Sequence, residues 1–183
     1  FRRISRLLYS EAGMKIEQLN DLEMTLEEYL LEHIPITSAM GISVGFASPD
    51  KIILRASFRN NINHKKTVFG GSLHAVATLA CWSLLHVNLV NLLGRNIQIV
   101  IASSEVEYLL PVTTDFQAEC SMPNALDWER FVKMLQKKGK ARLKLAAKIV
   151  QDDQLCVDYA GVFVAIRTVE ESPRVINHSE EIV

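Results

Sequence analysis

The part of the sequence richest in potential chemistry runs from Asn63 to Ser72, as Asn-His-Lys-Lys-Thr-Val-Phe-Gly-Gly-Ser, at the start of a predicted helix. A helix N-terminus carries unpaired backbone N–H groups and a partial positive charge. Gly70 and Gly71 would let a ligand approach that backbone closely. A carbonyl oxygen that gains negative charge would be stabilised there, as in an oxyanion hole.

The residues after the two glycines extend this pattern along one side of the helix. At 100° per residue, Gly71, His74 and Thr78 lie on one stripe, and Trp82 continues it as an apolar floor. We expect this stripe to face a cavity. The alternatives are that Thr78 bonds to its own helix backbone and that His74 is an ordinary core histidine.

The helix that carries the stripe is predicted from Ser72 to Leu93. Between Thr67 and Gly94 the sequence has no Asp, Glu, Lys or Arg, so the segment fits either a membrane span or a helix enclosed by its own protein. Imidazole and amide side chains are scattered along it and are costly in hydrocarbon. We therefore expect a buried core helix and no membrane span.

Strand patterns surround this helix. Two β-rich runs about Ser48-Pro-Asp indicate a hairpin, and the second half of the chain alternates between strands and turns. The predicted strands are Ile42–Phe46, Ile52–Phe58, Asn96–Leu110, Phe116–Cys120, Arg142–Val150 and Leu155–Ile166. Short helices are predicted from Thr25, where Glu28 completes a capping box, and from Asp127 as its N-cap. These elements predict an α+β fold in which an antiparallel sheet of about six strands wraps the long helix.

Length and composition limit the number of domains, the class of partner and the compartment. A chain of 183 residues suits one domain, which we place at 25–168, between an N-terminal extension or linker (1–24) and a C-terminal tail (169–183). The net charge of −1 argues against a nucleic-acid partner. The three cysteines form no pair or metal-ligand cluster, so we expect a cytoplasmic protein without a metal site.

The run Asn63-His64-x-x-Thr67-Val68-Phe69-Gly70-Gly71-Ser72-Leu73, followed by a helix with Trp82, resembles the hotdog-fold thioesterases. It is most similar to the thioesterase domain at the C-terminus of YiiD-type proteins, over about Thr25–Arg167. The resemblance implies a hotdog fold, pairing of sheets into a homodimer or dimer of dimers, and active sites at the subunit interface. It implies an acyl thioesterase that hydrolyses acyl-CoA or acyl-carrier-protein thioesters and needs no cofactor beyond the coenzyme A or phosphopantetheine of its substrate.

The resemblance also suggests site residues. Asn63 matches the loop residue that bonds the thioester or water, Gly71 the N–H donor for the thioester oxygen, and Thr78 the position where many relatives carry a carboxylate. These three are the expected catalytic residues. The expected substrate-binding residues are His64, Phe69, Gly70, Ser72, His74, Lys138 and Lys140.

Two questions stay open in the sequence. Neither Thr78 nor Asn63 can accept a proton from water near neutral pH, which leaves His64 and His74 as nearby bases, or else a non-catalytic acyl-thioester binding module that acts with a partner domain. Lys138 and Lys140 could bind substrate phosphates or belong to a solvated turn.

Overall fold

The computed structural model of the chain describes residues 16–94 and 96–168. The C-terminal tail expected at 169–183, and residues 1–15 of the expected N-terminal extension, lie outside these ranges. The helices are α1 (Ile16–His33), α2 (Ile36–Met40), α3 (Phe58–Asn61), α4 (Gly70–Leu93) and α5 (Ala125–Lys138). The strands are β1 (Ile42–Ala47), β2 (Lys51–Ala56), β3 (Ile97–Tyr108), β4 (Phe116–Ser121), β5 (Lys140–Gln151) and β6 (Gln154–Arg167).

The six strands form one antiparallel sheet in the order β1-β2-β4-β5-β6-β3. Buried and exposed residues alternate along nearly the whole length of β5, as they must in a strand with one covered face. Helix α4 covers that face and packs against β2, β3, β4, β5 and β6. The predicted α+β architecture, a six-stranded sheet around one long helix, is confirmed.

Helix α4 is the central element of the hydrophobic core. By length and composition it could cross a membrane, but half of its most apolar stretch is buried inside the protein. Val76, Ala77, Ala80 and Leu89 are completely inaccessible to solvent. A helix apolar on most faces needs cover on most faces, and here five strands of the sheet pack against it.

Helix α1 differs from its prediction. It begins at Ile16, so Thr25 lies inside the helix and the predicted capping box with Glu28 is wrong. The reason is an apolar stripe that starts upstream of Thr25: Leu19, Leu26 and Leu30 are buried against the core. Tertiary burial of that stripe favours continuing the helix over starting it at a local cap.

Helix α5 also starts earlier than predicted. Asn124 is its N-cap, and the Asn124 Oδ1 atom accepts from the Asp127 backbone N–H at 2.9 Å. The predicted cap at Asp127 is therefore wrong. Asp127 is the third helical residue, and its carboxylate accepts from Asn124 Nδ2 at 2.7 Å, so the two side chains form a reciprocal cap.

The two edge strands of the sheet differ in how far other elements cover them. At the β1 edge, Glu27 Oε2 accepts from the Val44 N–H at 2.6 Å and Glu23 Oε1 accepts from the Ala47 N–H at 3.3 Å. Helix α1 thus covers this edge with two carboxylates one turn apart. At the other edge, β3 is exposed along most of its length, and an exposed edge strand is a template for pairing.

The Glu27 contact predicts a local stability effect. Glu27→Ala should lower the free energy of unfolding by about 1–3 kcal/mol, because the Val44 N–H loses a charge-assisted acceptor at a half-buried position. Urea unfolding measures this, with Glu28→Ala, an exposed position on the same helix, as the control. Equal stabilities of the two variants would contradict the assignment.

Candidate active site

The loop before α4 is organised by Asn63. The Asn63 Oδ1 atom accepts from the Lys65 N–H at 2.8 Å and the Thr67 N–H at 3.3 Å, while Nδ2 donates to Thr67 Oγ1 at 2.9 Å and to the Val68 carbonyl at 3.4 Å. Its side-chain hydrogen-bonding capacity is thereby used within its own loop. Asn63 therefore shapes its own loop. The short helix α3 occupies the start of the region predicted as loop from Arg59 and also includes Phe58, which was predicted as the end of a strand.

This loop delivers the chain to the N-terminus of α4. Phe69 is the N-cap, and its carbonyl accepts from the N–H groups of Ser72 at 2.9 Å and Leu73 at 3.2 Å. The N–H groups of Gly70 and Gly71 precede these first helical bonds, and such groups have no partner inside the helix, which an oxyanion site requires. Tyr108 at the end of β3 donates from its hydroxyl to the Gly70 carbonyl at 3.1 Å, which ties the helix start to the sheet.

The Phe69 ring lies close to the Gly71 backbone. A Cβ atom at position 71 would lie 2.3 Å from Phe69 Cε1, so the aromatic ring occupies the space that a side chain would need. The ring is itself 58% exposed. Phe69 therefore lies over the helix start as an apolar surface open to solvent.

A cavity of about 410 Å³ opens beside the first turns of α4. His74, Thr78 and Trp82 line it, so the predicted stripe does face one cavity, although Gly71 lies beyond its wall. Most of the wall is apolar and comes from the α1–α2 connection, α2, β1, α4 and β3. The lining residues are Ile34, Ile36, Thr37, Met40, Ile42, His74, Ala75, Thr78, Leu79, Trp82, Ile101, Ala102, Ser103 and Ser104.

The polar side chains of the cavity wall take part in two hydrogen-bonded pairs. His74 Nε2 lies 2.9 Å from Ser104 Oγ, and Thr78 Oγ1 donates to Tyr159 Oη at 2.9 Å. Burial raises the pKa of Tyr159 and the Ser104 hydroxyl acts to lower it, so the two pairs are neighbours. Among the described residues that line the cavity, His74 is the only histidine, and none is Asp, Glu, Lys or Arg.

Sequence reasoning missed Ser104 and Tyr159. They lie on β3 and β6, which pair with each other, and neither strand carries a motif that marks these positions. Tyr159 is almost fully buried, with 1% of its surface exposed. Burial raises the pKa of Tyr159, as do the nearby Cys81 and Cys120 thiols, while the hydrogen bonds from Thr78 and Ser104 act in the opposite direction.

The raised pKa of Tyr159 predicts an alkaline stability effect. The folded state holds the phenol proton more tightly than the unfolded state, so the free energy of unfolding should fall as the pH rises above about 10, the ordinary tyrosine value. Chemical unfolding between pH 8 and pH 11 measures the slope. Tyr159→Phe should fall less steeply, and an unchanged slope in that variant would count against the assignment.

The other predicted site residues lie in three places. Ser72 is half-buried in the first turn of α4, and His64 is exposed in the preceding loop. Lys138 and Lys140 are exposed at the opposite end of the sheet. Tyr108, which contacts Gly70, and Ile149 of β5 lie opposite the same residue of β6, so they are at the same end of the sheet. From Ile149 to Lys140, strand β5 extends about 30 Å, at about 3.3 Å per residue. Within this chain the two lysines are therefore remote from Gly70 and Gly71.

The sequence matches one family model over residues 23–167, described as "Putative thioesterase (yiiD_Cterm)". Among solved structures, a protein of unknown function from Chlorobaculum tepidum is 28% identical, with a TM-score of 0.75 over 81% of this chain and 96% of that one. A structure from Shewanella oneidensis, described as a "putative thioesterase", is 26% identical, with a TM-score of 0.72 over 81% of this chain and 99% of that one.

A thioesterase structure from Haemophilus influenzae shares the fold at 13% identity, with a TM-score of 0.60 over 81% of this chain and 93% of that one. The family match covers the sheet, α4 and the loop that leads into it, and it confirms the resemblance that the Asn63–Leu73 run indicated. The protein therefore belongs to the YiiD C-terminal thioesterase family and has the hotdog fold.

Proposed function

We propose that this protein is an acyl thioesterase that hydrolyses acyl-CoA or acyl-carrier-protein thioesters to the free acid and thiol. One observation carries the proposal. An apolar cavity ends at His74, and this histidine lies one helical turn, about 5.4 Å along the axis, from the N–H groups of Gly70 and Gly71. Such a site combines a slot for an apolar chain, a proton acceptor and an oxyanion donor.

The acyl chain would occupy the cavity along α4. Leu79 and Ile34 form its sides, and Trp82 forms its far wall, held by a hydrogen bond from Nε1 to the Ile99 carbonyl at 3.2 Å. Each buried CH₂ group contributes about 0.8 kcal/mol to binding, so KM should fall with acyl length until the chain reaches Trp82. The thioester carbonyl would then lie near His74.

The proposed roles at the thioester follow from the contacts. The Gly71 N–H would stabilise the negative oxygen of the tetrahedral intermediate. Thr78 would act through Tyr159, to which it donates a hydrogen bond. Asn63 would act by holding the loop that presents Phe69, Gly70 and Gly71, because its own amide is engaged within that loop.

We further propose a homodimer, alone or as half of a dimer of dimers, that pairs two β3 edges. Helix α1 already covers the β1 edge, whereas β3 exposes 48% of Val100 and 42% of Ile101. A two-fold axis would set the two strands antiparallel and let all of their outward N–H and C=O groups pair.

This dimer would also give Lys138 and Lys140 a role. Gly139, between them, accepts from the Arg167 N–H, and Arg167 lies opposite Ile97 at the start of β3. Antiparallel pairing brings the start of one β3 to the end of the other, next to the partner's α4 N-terminus. The lysines of one protomer, with His64 of the other, would then meet the phosphates of the carrier.

Val100→Lys should convert the dimer to a monomer, because a lysine on an edge strand opposes strand pairing. Light scattering after size exclusion gives the mass. Leu126→Lys is the matched control, because Leu126 is a still more exposed apolar residue (64%) that lies on α5. A monomeric wild type, or dimers of both variants, would contradict pairing through β3.

The proposal is tested by thiol release from acyl-CoA substrates of graded chain length and from the matching acyl-carrier-protein thioesters. We expect turnover of at least one series, with KM falling as the chain lengthens. The engaged Asn63 amide favours a second candidate, a non-catalytic acyl-thioester binding module. Saturable binding by calorimetry without thiol release would support that candidate and reject the thioesterase.

The three buried free cysteines suit a reducing compartment such as the cytoplasm.

A further inference from the structure

The hydrogen bond between Ser104 and His74 has the geometry of a nucleophile and its base. In nucleophilic catalysis a hydroxyl lies within hydrogen-bond reach of a basic side chain, and a third group orients the pair. Ser104 Oγ lies 2.9 Å from His74 Nε2, and both side chains line the apolar cavity. The His74 ring also packs edge-on against Tyr159, with 5.4 Å between ring centroids.

The neighbouring hydroxyl groups surround this pair. Thr78 donates to Tyr159 Oη at 2.9 Å, and Thr78 lines the cavity together with His74 and Ser104. When the single hydrogen of Ser104 is directed to His74 Nε2, the neutral imidazole carries its own hydrogen on Nδ1 and can take the Ser104 proton.

Gly161 makes room for this arrangement. It lies opposite Ser104 in the β3–β6 pair, and a Cβ atom at Gly161 would lie 2.6 Å from Tyr159 Oη and 2.8 Å from Phe163 Cε2. Residues 159, 161 and 163 share one face of β6. The absent side chain at Gly161 is thus the space into which the Tyr159 hydroxyl extends toward Ser104.

We propose, building on the thioesterase function above, that Ser104 is a covalent nucleophile with His74 as its base. Ser104 Oγ bonds to the thioester carbonyl carbon while its proton moves to His74 Nε2 and the carbonyl oxygen becomes negative. When the intermediate collapses, the C–S bond breaks and the thiol sulfur takes the proton from His74. The product of this half-reaction is an acyl ester of Ser104.

Water completes the cycle. It attacks the ester carbonyl and gives a proton to His74 Nε2, and the carbon–Oγ bond then breaks as Oγ recovers that proton. The sum is thioester plus water to acid plus thiol. Tyr159 and Thr78 are positioning residues in this scheme: they hydrogen-bond to each other, and Tyr159 packs edge-on against the His74 ring.

The test uses an alkyl fluorophosphonate, which forms a stable ester with an activated serine, so that rapid hydrolysis of an acyl ester cannot hide the result. Peptide fragmentation should locate the adduct on Ser104. Ser104→Ala should form no adduct and lose thioesterase activity by at least a hundredfold, whereas Ser121→Ala, at an exposed serine of β4 that does not line this cavity, should still form it. Gly161→Ala should slow labelling at least tenfold and shift the pH profile of labelling. If Ser104 has only a packing role, this substitution should change neither.

The outcomes separate this proposal from the one on which it rests. Thioester hydrolysis by the wild type with no labelling of Ser104, or with Ser104→Ala within tenfold of wild-type kcat, overturns the nucleophile and leaves the thioesterase standing. Labelling of Ser104 without turnover of any thioester supports the activated serine and rejects the thioesterase. Neither labelling nor turnover rejects both.

Discussion

His74→Gln should lower kcat for thiol release by about 100-fold to 10,000-fold, the range that a positioned general base contributes. Glutamine can still hydrogen-bond to Ser104, but its amide does not accept a proton near neutral pH. The cavity offers little to replace the imidazole, because its remaining described lining is apolar apart from hydroxyl groups and backbone. KM should change little, since the acyl chain binds the apolar wall.

The His74 prediction is measured by thiol release at saturating substrate, together with thermal unfolding to exclude a folding defect. His33→Gln is the matched control. His33 lies at the end of α1, where its ring stacks on Tyr29 at 4.1 Å and it is not among the residues that line the cavity. A His74→Gln enzyme with kcat within threefold of wild type would show that another group accepts the proton.

Gly71→Val should lower kcat/KM by about 100-fold to 1,000-fold, the loss seen when one oxyanion donor is removed. A Cβ at this position overlaps the Phe69 ring, which must swing out toward solvent. The branched side chain then stands between the substrate and the Gly71 N–H. The Phe69 ring is exposed and can move, so the loss of stability should be modest.

A second substitution separates these two effects. In Gly71→Val with Phe69→Ala the steric overlap is absent, so the melting temperature should return toward that of Phe69→Ala alone. Activity should stay low, because the valine still blocks the N–H. If the double variant regained the activity of Phe69→Ala, Gly71 would serve only to pack Phe69, and the oxyanion role would have to be abandoned.

Much of the fold was predictable because its signals are local. The uncharged, apolar stretch after Thr67 defines α4, and the alternation in Arg142–Val150 defines one covered face of β5. The turn at Asp152 and Asp153 follows from residue types that tolerate positive φ, and both adopt it, at 51° and 61°. Two errors occurred at the starts of α1 and α5, where burial of Leu19 and capping by Asn124 outweighed the expected caps. A third occurred where the short helix α3 replaces the predicted end of a strand at Phe58 and the start of the loop at Arg59.

The residues of the candidate site also differ in whether a local sequence pattern could identify them. Gly71, His74 and Thr78 share a stripe because helical periodicity is a local property, and this stripe could be identified from residue order alone. Ser104 and Tyr159 reach the same place from strands far apart in sequence, through a pairing register that no local pattern specifies. A single-residue shift of that register would turn either side chain to the other face of the sheet.

The residue order of this chain thus specifies a glycine start, a histidine one turn later and an apolar helix, which indicate a thioester site. Which partners His74 and Thr78 receive depends on the packing of α4 against β3 and β6. That packing is a long-range event, in which burial of the apolar stripe brings together polar groups that are otherwise unrelated. This packing brings Tyr159 to Thr78 and places Ser104 next to the only histidine of the described cavity wall, whereas the hydrogen bonds of Asn63 are local to its own loop.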